Sequence, residues 1–157
     1  MKNFLIPFFL VLFFTTGCGY KIIDRSKFGN FGIAEMNTSG ETRINYKIKN
    51  KLFSFSQSNE KKQLKIEIDT NKEKRIKEKN IKNEITKYEI DILIKITFYE
   101  INNSSKIKEF SVRKEGEYNV VSQHSQTLNN EKKLIEILVD DLADQIFFEI
   151  GTRTNDL

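Results

Sequence analysis

The sequence has few of the residues from which metal and catalytic sites are usually built. Its 157 residues include one cysteine and one histidine. A single thiol excludes an internal disulfide, and one histidine excludes a metal site held by paired histidines. The chain also lacks a glycine-rich phosphate loop and a nucleophile elbow. His124 lies among Ser, Gln and Asn residues and is expected in an exposed loop. The sequence therefore predicts a protein that is not an enzyme and that needs no metal or other cofactor.

The overall charge says little about partners. The formal net charge is +4, the isoelectric point is about 9.0, and lysine far outnumbers arginine. Abundant Lys, Asn, Ile and Phe together are what an AT-rich genome produces, so basicity alone does not indicate an anionic partner. A nucleic-acid site is not predicted, because the lysine-rich segment lacks interleaved aromatic residues.

The first 17 residues have the pattern of a signal peptide. Lys2 supplies a positively charged start, and an apolar run extends from Phe4 to Phe14. This run fits the roughly 7–15 residues of a signal-peptide core and is shorter than the ~20 residues needed to span a bilayer. We therefore predict that residues 1–17 are a signal peptide. An N-terminal membrane anchor that stays uncleaved is the alternative.

Cys18 lies at the boundary between this leader and a polar body. The small residues on either side of it resemble a bacterial lipobox, with Thr15 in the place where leucine is usual. A catalytic thiol would need a base and an ordered pocket, which a connecting segment does not offer. We therefore predict that Cys18 is lipidated and becomes the first residue of the mature chain. The predicted organisation is a lipidated tether over 18–30, a domain over 31–151 and a C-terminal tail over 152–157.

The body begins with a predicted short strand over 31–37, followed by a helix. Thr38 and Glu41 fit a capping box, with Thr38 as the N-cap residue. An apolar stripe at helical spacing follows, formed by Ile44, Ile48, Leu52 and Phe55. Alternating residues then predict a half-buried strand over 63–70. The charged segment 71–87 has no clean period, and a long loop, a strand extension and a poor helix are all open.

Two further strands are predicted. β-Branched and aromatic residues alternate with polar ones over 88–98, which is typical of a strand with one wet face. A turn is predicted over 101–106, and Gly116 is expected to mark a bulge in the strand that follows. The apolar residues in phase on this last strand are Phe110, Val112, Tyr118 and Val120.

A helix closes the pattern. Apolar residues recur every four positions from Leu134 to Ile150, which predicts an amphipathic helix over about 130–150 with Gly151 as its C′ residue. The element order is therefore β-α-β-β-β-α. Each helix and the sheet have one apolar face, so the predicted fold class is α+β. We expect a two-layer sandwich, in which two helices cover one face of a four-stranded, mostly antiparallel sheet.

Segments spread over nearly the whole mature chain carry a resemblance to a known family. They are the Cys18-Gly19-Tyr20 start, the weak first strand, INYKIKNKL at 44–52, LKIEIDT at 64–70, the long strand at 88–99, Tyr118-Asn119 before a polar loop, and the closing amphipathic helix. Together they resemble the lipopolysaccharide-assembly lipoproteins, the LptE family, in its alphaproteobacterial form.

The resemblance implies a function without cofactor chemistry. Members of this family are held in the outer membrane by N-terminal acyl chains and face the periplasm. They plug the large β-barrel LptD, help it to fold, and bind lipopolysaccharide on its way to the cell surface. Gly19 is not aspartate, which by the same resemblance implies sorting to the outer membrane. The alternative is a free-standing periplasmic lipoprotein that binds a small ligand or peptidoglycan without a barrel partner.

Segment 71–87 concentrates positive charge. Its seven Lys/Arg and three Glu give a net charge of +4, equal to the formal charge of the whole chain. Lipopolysaccharide is polyanionic, so we predict candidate lipopolysaccharide-binding residues in this segment, namely Lys74, Arg75, Lys77 and Lys79. A solvated charged loop is the alternative interpretation.

Lipidation of Cys18 is directly testable. The intact mass of the mature protein should lack residues 1–17 and carry acyl chains on Cys18, because two or more chains at ~0.8 kcal/mol per buried CH₂ give stable anchoring. Cys18→Ala should leave the chain unprocessed. A mature N-terminus upstream of Cys18 would contradict the prediction.

Overall fold

The computed structural model describes residues 31–56, 62–101 and 103–155. The predicted signal peptide, Cys18 and the tether lie outside these residues. The elements are β1 (Gly32–Gly40), α1 (Thr42–Phe55), β2 (Gln63–Lys79), β3 (Ile85–Glu100), β4 (Asn103–Asn119) and α2 (His124–Asn155). This order confirms the predicted β-α-β-β-β-α arrangement.

The described strands form one mixed sheet in the order β1-β2-β3-β4. β1 pairs in parallel with β2 through the crossover helix α1, and the other two pairings are antiparallel. Both helices pack on the same face, where Lys47 of α1 bonds to Glu136 of α2 at 3.0 Å. The two-layer α+β prediction is confirmed.

The core lies between the helices and this face of the sheet. The alternating residues Ile90, Ile92, Ile94, Ile96 and Phe98 of the central strand β3 are no more than 1% exposed. Both predicted helical stripes face them, since Ile48 and Leu52 of α1 and Leu142 and Ile146 of α2 are fully buried. Each such side chain stabilises the fold by about 1.5–3 kcal/mol relative to an exposed one. The sheet's other face is polar.

The predicted start of α1 is wrong. Thr38 is not an N-cap, because β1 continues beyond the predicted end at 37 and Thr38 pairs with Ile68 of β2. The strand stops at Gly40, where φ is +85° and a Cβ atom would collide with the carbonyl oxygen of Thr70. The helix begins at Thr42, and its N-cap residue Glu41 makes no side-chain cap hydrogen bond. Parallel pairing with β2 outweighs the local capping signal.

Segment 71–87 is a strand extension, one of the three open alternatives. β2 runs on to Lys79, and β3 begins at Ile85. The Asn80 side chain accepts hydrogen bonds from the backbone N–H groups of Lys82 and Glu84, which fixes the turn between them. The segment is therefore the far half of a long hairpin. The next turn is shorter than predicted, because β4 already begins at Asn103.

Three assignments near the C-terminal half need correction. Gly116 is not a bulge, because its pairing with Ile90 continues the register. A Cβ atom at this position would lie 2.7 Å from Leu134 Cδ1, so the absence of a side chain lets α2 pack closely against β4. Gly151 is not the C′ residue, because α2 continues to Asn155 and residues 152–155 of the predicted tail are helical. His124 is exposed as predicted, but it begins α2 instead of lying in a loop.

Leu142 provides a test of this packing. Leu142→Asp should lower the free energy of unfolding by roughly 3 kcal/mol or more, because it buries an unpaired carboxylate. Asp141→Ala is the matched control: the Asp141 side chain is 56% exposed and only 3.7 Å from Lys114, so its loss should cost under about 1 kcal/mol. Urea unfolding of the purified protein measures both. Equal midpoints would contradict the assigned core.

Candidate functional site

The four predicted lipopolysaccharide-binding cations lie around the far half of the β2–β3 hairpin but do not form one patch. Successive side chains of a strand point to opposite faces. Lys74 accordingly reaches the helix layer, whereas Arg75 and Lys77 reach carboxylates on the open face. Lys79 ends the strand and donates to Asn83 Oδ1 in the turn at 3.0 Å. An anionic ligand could not meet all four from one side.

Lys74 is held between the sheet and α2. Its Nζ lies 2.7 Å from Glu131 Oε2, which also accepts a hydrogen bond from the Tyr118 hydroxyl. The same ammonium group lies 4.3 Å from the ring centre of Tyr88 and 5.3 Å from that of Tyr118. Burial has the largest single effect and disfavours the charge on Lys74, but the hydrogen bonds with Glu131 and Tyr118 together outweigh it, so the pKa of Lys74 is raised. Lys74 therefore links the β2–β3 hairpin to α2.

On the open face, Asp91 lies beneath two guanidinium groups. Arg113 Nε donates to Asp91 Oδ1 at 2.8 Å, and Arg75 Nη2 donates to Asp91 Oδ2 at 3.2 Å. The two arginines shield Asp91 to 7% exposure even though it belongs to the sheet's outer face. The hydrogen bonds from Arg113 outweigh this burial and hold the pKa of Asp91 below its ordinary value.

Glu89 extends this charge network along β3. It accepts hydrogen bonds from Lys77 and from Arg75, at 2.5 and 3.1 Å. Lys77 also lies 3.3 Å from Glu117 of β4. The hydrogen bond with Lys77 lowers the pKa of Glu89 and raises that of Lys77. Arg75 and Lys77 therefore already have carboxylate partners, and a ligand phosphate would have to compete with those partners.

A cleft between the helices was not predicted. It has a volume of about 420 Å³ and lies beside β2, between the N-terminal end of α1 and the N-terminal half of α2. Ile44, Ile135 and Leu128 give it an apolar lining, and Leu128 is 51% exposed. Of its four cations, Lys47 and Lys72 have carboxylate partners, whereas Arg43 and Lys132 make no ion pair among the described residues.

The acidic residues of this cleft, in contrast, are all paired. Glu41 lies 3.5 Å from Lys72, Glu136 lies 3.0 Å from Lys47, and Glu131 is bonded to Lys74. The sequence places Arg43 and Lys132 away from the apolar stripes of their helices. It does not reveal that the two residues, almost ninety positions apart, line one cleft.

Residues 31–56, 62–101 and 103–155 contain no group of three or more His, Cys, Asp or Glu residues arranged to hold a metal ion. No helix within these ranges is both long enough and apolar enough to cross a membrane.

Comparison with known proteins gives a match in structure alone. No protein-family model and no curated protein matches the chain. A Caulobacter crescentus CB15 protein described as a lipoprotein has a TM-score of 0.60 at 12% identity, covering 84% of this chain and 95% of its own. A minor lipoprotein of Acinetobacter baumannii has a TM-score of 0.56 at 14% identity, covering 80% and 93%. An uncharacterized lipoprotein B of Nitrosomonas europaea has a TM-score of 0.57 at 15% identity, covering 81% and 88%.

These matches define the class of fold to which the chain belongs. The coverage includes most of this chain and nearly all of each solved structure. The chain therefore shares its whole α+β sandwich with these three lipoproteins. Identities of 12–15% establish this similarity for the fold only.

The hydrogen bonds that Asp91 accepts from Arg113 and Arg75 predict that the stability of the protein depends on pH. Because the pKa of Asp91 is lowered in the folded state, its contribution to stability is complete above the ordinary value of 3.8 and is lost as pH falls through the folded-state pKa. Asp91→Asn should therefore destabilise the protein at pH 7, and the difference from wild type should shrink toward pH 3. Urea unfolding at pH 7, 5 and 3 measures this change.

Glu67→Gln is the control for that experiment. Glu67 is an exposed carboxylate of the same face with no ion pair among the described residues. Its replacement should have a small effect at each pH. An Asp91→Asn effect that is equal at pH 7 and pH 3 would show that the charge network contributes nothing.

Proposed function

We propose that this protein is a lipoprotein anchored through Cys18 on the periplasmic side of the outer membrane, where it plugs and helps to assemble the β-barrel LptD and takes part in lipopolysaccharide transport. The observation that carries the proposal is the fold, which the chain shares over 80–84% of its length with three lipoproteins. The sequence resemblance to the LptE family points the same way independently.

The architecture supports a role as a rigid protein partner. A single core fixes both helices and the strands, and the open face of the sheet has charged side chains paired into a network. Such a face is polar enough to sit against the wet interior of a barrel without exposing an apolar patch. Its paired charges also give it a fixed pattern that a partner surface can complement.

Direct binding of lipopolysaccharide is part of the proposal, and the four candidate cations differ in what they can contribute. Lys79 is bonded to an amide oxygen and has no carboxylate partner among the described residues, so its charge is free to meet a phosphate. Lys74, Arg75 and Lys77 are held by carboxylates. They can bind a phosphate only by exchanging partners, so we propose Lys79 as the first contact.

The alternative is a free-standing periplasmic lipoprotein that binds a small ligand or peptidoglycan. The cleft between the helices is the observation in its favour, because its volume of about 420 Å³ is within the range of small-molecule sites. The two functions require the same fold and the same anchor. They differ in whether a barrel partner exists.

Co-purification separates the two functions. Extraction of outer membranes in a mild detergent should recover the protein together with a large β-barrel in roughly equal amounts, and depletion of the protein should lower the amount of assembled barrel. Cys18→Ala serves as the control for anchoring, since a chain that is neither lipidated nor processed should be lost from the outer-membrane fraction. Recovery of the protein alone, with barrel levels unchanged, would favour the free-standing alternative.

A further inference from the structure

β1 and β2 differ in length, so part of β2 has no strand beside it on the β1 side in the described part of the chain. The parallel pairing of β1 ends where Gly40 meets Thr70, but β2 continues from Asn71 to Lys79. On the other side, β2 stays paired with β3 over this whole stretch. Among the described residues, no strand lies against the outer side of Asn71–Lys79, which we call the β2 edge.

The hydrogen-bond pattern shows which backbone groups this edge offers. Thr70 C=O accepts from Glu41 N–H on the β1 side, whereas Gln63 C=O accepts from Ile101 N–H on the β3 side. Because the direction alternates along a strand, even-numbered residues of β2 direct their N–H and C=O groups outward. The β2 edge therefore presents the backbone groups of Lys72, Lys74 and Ile76 before the register shift that follows Ile76.

A side-chain pocket lies beside this backbone edge. The cleft between α1 and α2 includes Lys72 in its wall, together with the apolar side chains of Ile44, Ile135 and Leu128. A strand added along the β2 edge would direct every second side chain to the helix side, toward this cleft. Its remaining side chains would lie on the open face beside Arg75 and Lys77, both half-exposed. An exposed edge next to an apolar pocket is the arrangement by which proteins bind extended peptides.

Charge specifies what kind of strand fits. The β2 edge has five Lys/Arg and two Glu, a net charge of +3, and the cleft adds Arg43 and Lys132, which pair with no carboxylate in the described part of the chain. Lysines at an edge disfavour pairing with the same edge of a second copy, because like charges would lie opposite each other. The same charges favour an acidic strand.

We propose that the β2 edge binds an extended segment of a partner protein in which apolar and acidic residues alternate. The apolar side chains enter the cleft, and the acidic ones share Arg75 and Lys77 with Glu89, the carboxylate that both already contact. The backbone pairs with Lys72 and Lys74. This site requires neither lipopolysaccharide nor a barrel, so its failure and that of the proposed function are separable.

A synthetic peptide provides the probe. A fluorescent acetylated octapeptide of alternating Val and Glu should bind the purified full-length chain, as measured by anisotropy at 0.15 M salt. The same peptide with N-methyl groups on alternate residues along one edge should bind about tenfold more weakly or not at all, since it cannot form the ladder. A Val/Lys peptide should not bind. Equal binding of the N-methylated peptide would overturn the proposal, because contact would then not involve the backbone, and so would absence of Val/Glu binding.

A pair of variants isolates the backbone contribution. Lys72→Pro removes an N–H group that points out of the sheet, which edge strands tolerate, and Lys72→Gln loses the same ion pair with Glu41 but keeps the N–H. Lys72→Pro should weaken binding of the Val/Glu peptide about tenfold more than Lys72→Gln does. Equal affinities of the two variants would count against strand pairing at this edge.

Amide hydrogen exchange keeps the proposal testable if the proline variant is unstable. In the unaltered protein, the Val/Glu peptide should slow exchange of the amides of Lys72 and Lys74. Ser111 and Arg113 of the other edge strand, β4, provide the control. The cleft beside β4 includes Asp141 and Asp144 and should not attract an acidic strand. Protection at β4 without protection at the β2 edge would overturn the proposal.

Discussion

The structure depends on burial of one face of β3. Its alternating isoleucines and Phe98 form the buried surface against which both helices pack. Each flanking strand adds residues in register with them. Since the side-chain period of a strand is two, a shift of one residue would move this entire set to solvent. The pairing of the whole sheet is fixed in this way, and so is the polarity of the opposite face.

That opposite face explains why the basic segment is not a free cationic patch. Burying the even-numbered residues of β3 leaves Glu89 and Asp91 on the outer face, next to Arg75 and Lys77 of β2 and Arg113 of β4. Opposite charges on adjacent strands pair, and the two carboxylates keep their charge because several donors bind each of them. The segment's charge, which stands out in the sequence, is mostly balanced in three dimensions.

The elements with a sustained period were predictable from the sequence, and those set by distant partners were not. The alternation in β3 runs over many residues and the apolar stripe of α2 over several helical turns. Both patterns are local in the sequence, so the fold class could be predicted from them. The end of β1 is determined by β2, about thirty residues away, so the local capping signal at Thr38 misled. Gly151 likewise resembles a helix end locally, yet it is buried within α2.

The candidate sites show the same division. The charge of segment 71–87 was visible in the sequence, but the partner of Lys74 is Glu131, 57 residues away. The sequence also could not show that β2 extends past the end of β1, because the ends of the two strands can be compared only when their pairing register is known. The extension of β2 has two consequences. It leaves the β2 edge without a neighbouring strand among the described residues, and it extends the sheet beyond the N-terminal end of α1, where the cleft opens beside α2. A sheet with strands of equal length would have neither, so the unequal strand lengths are the structural origin of both features.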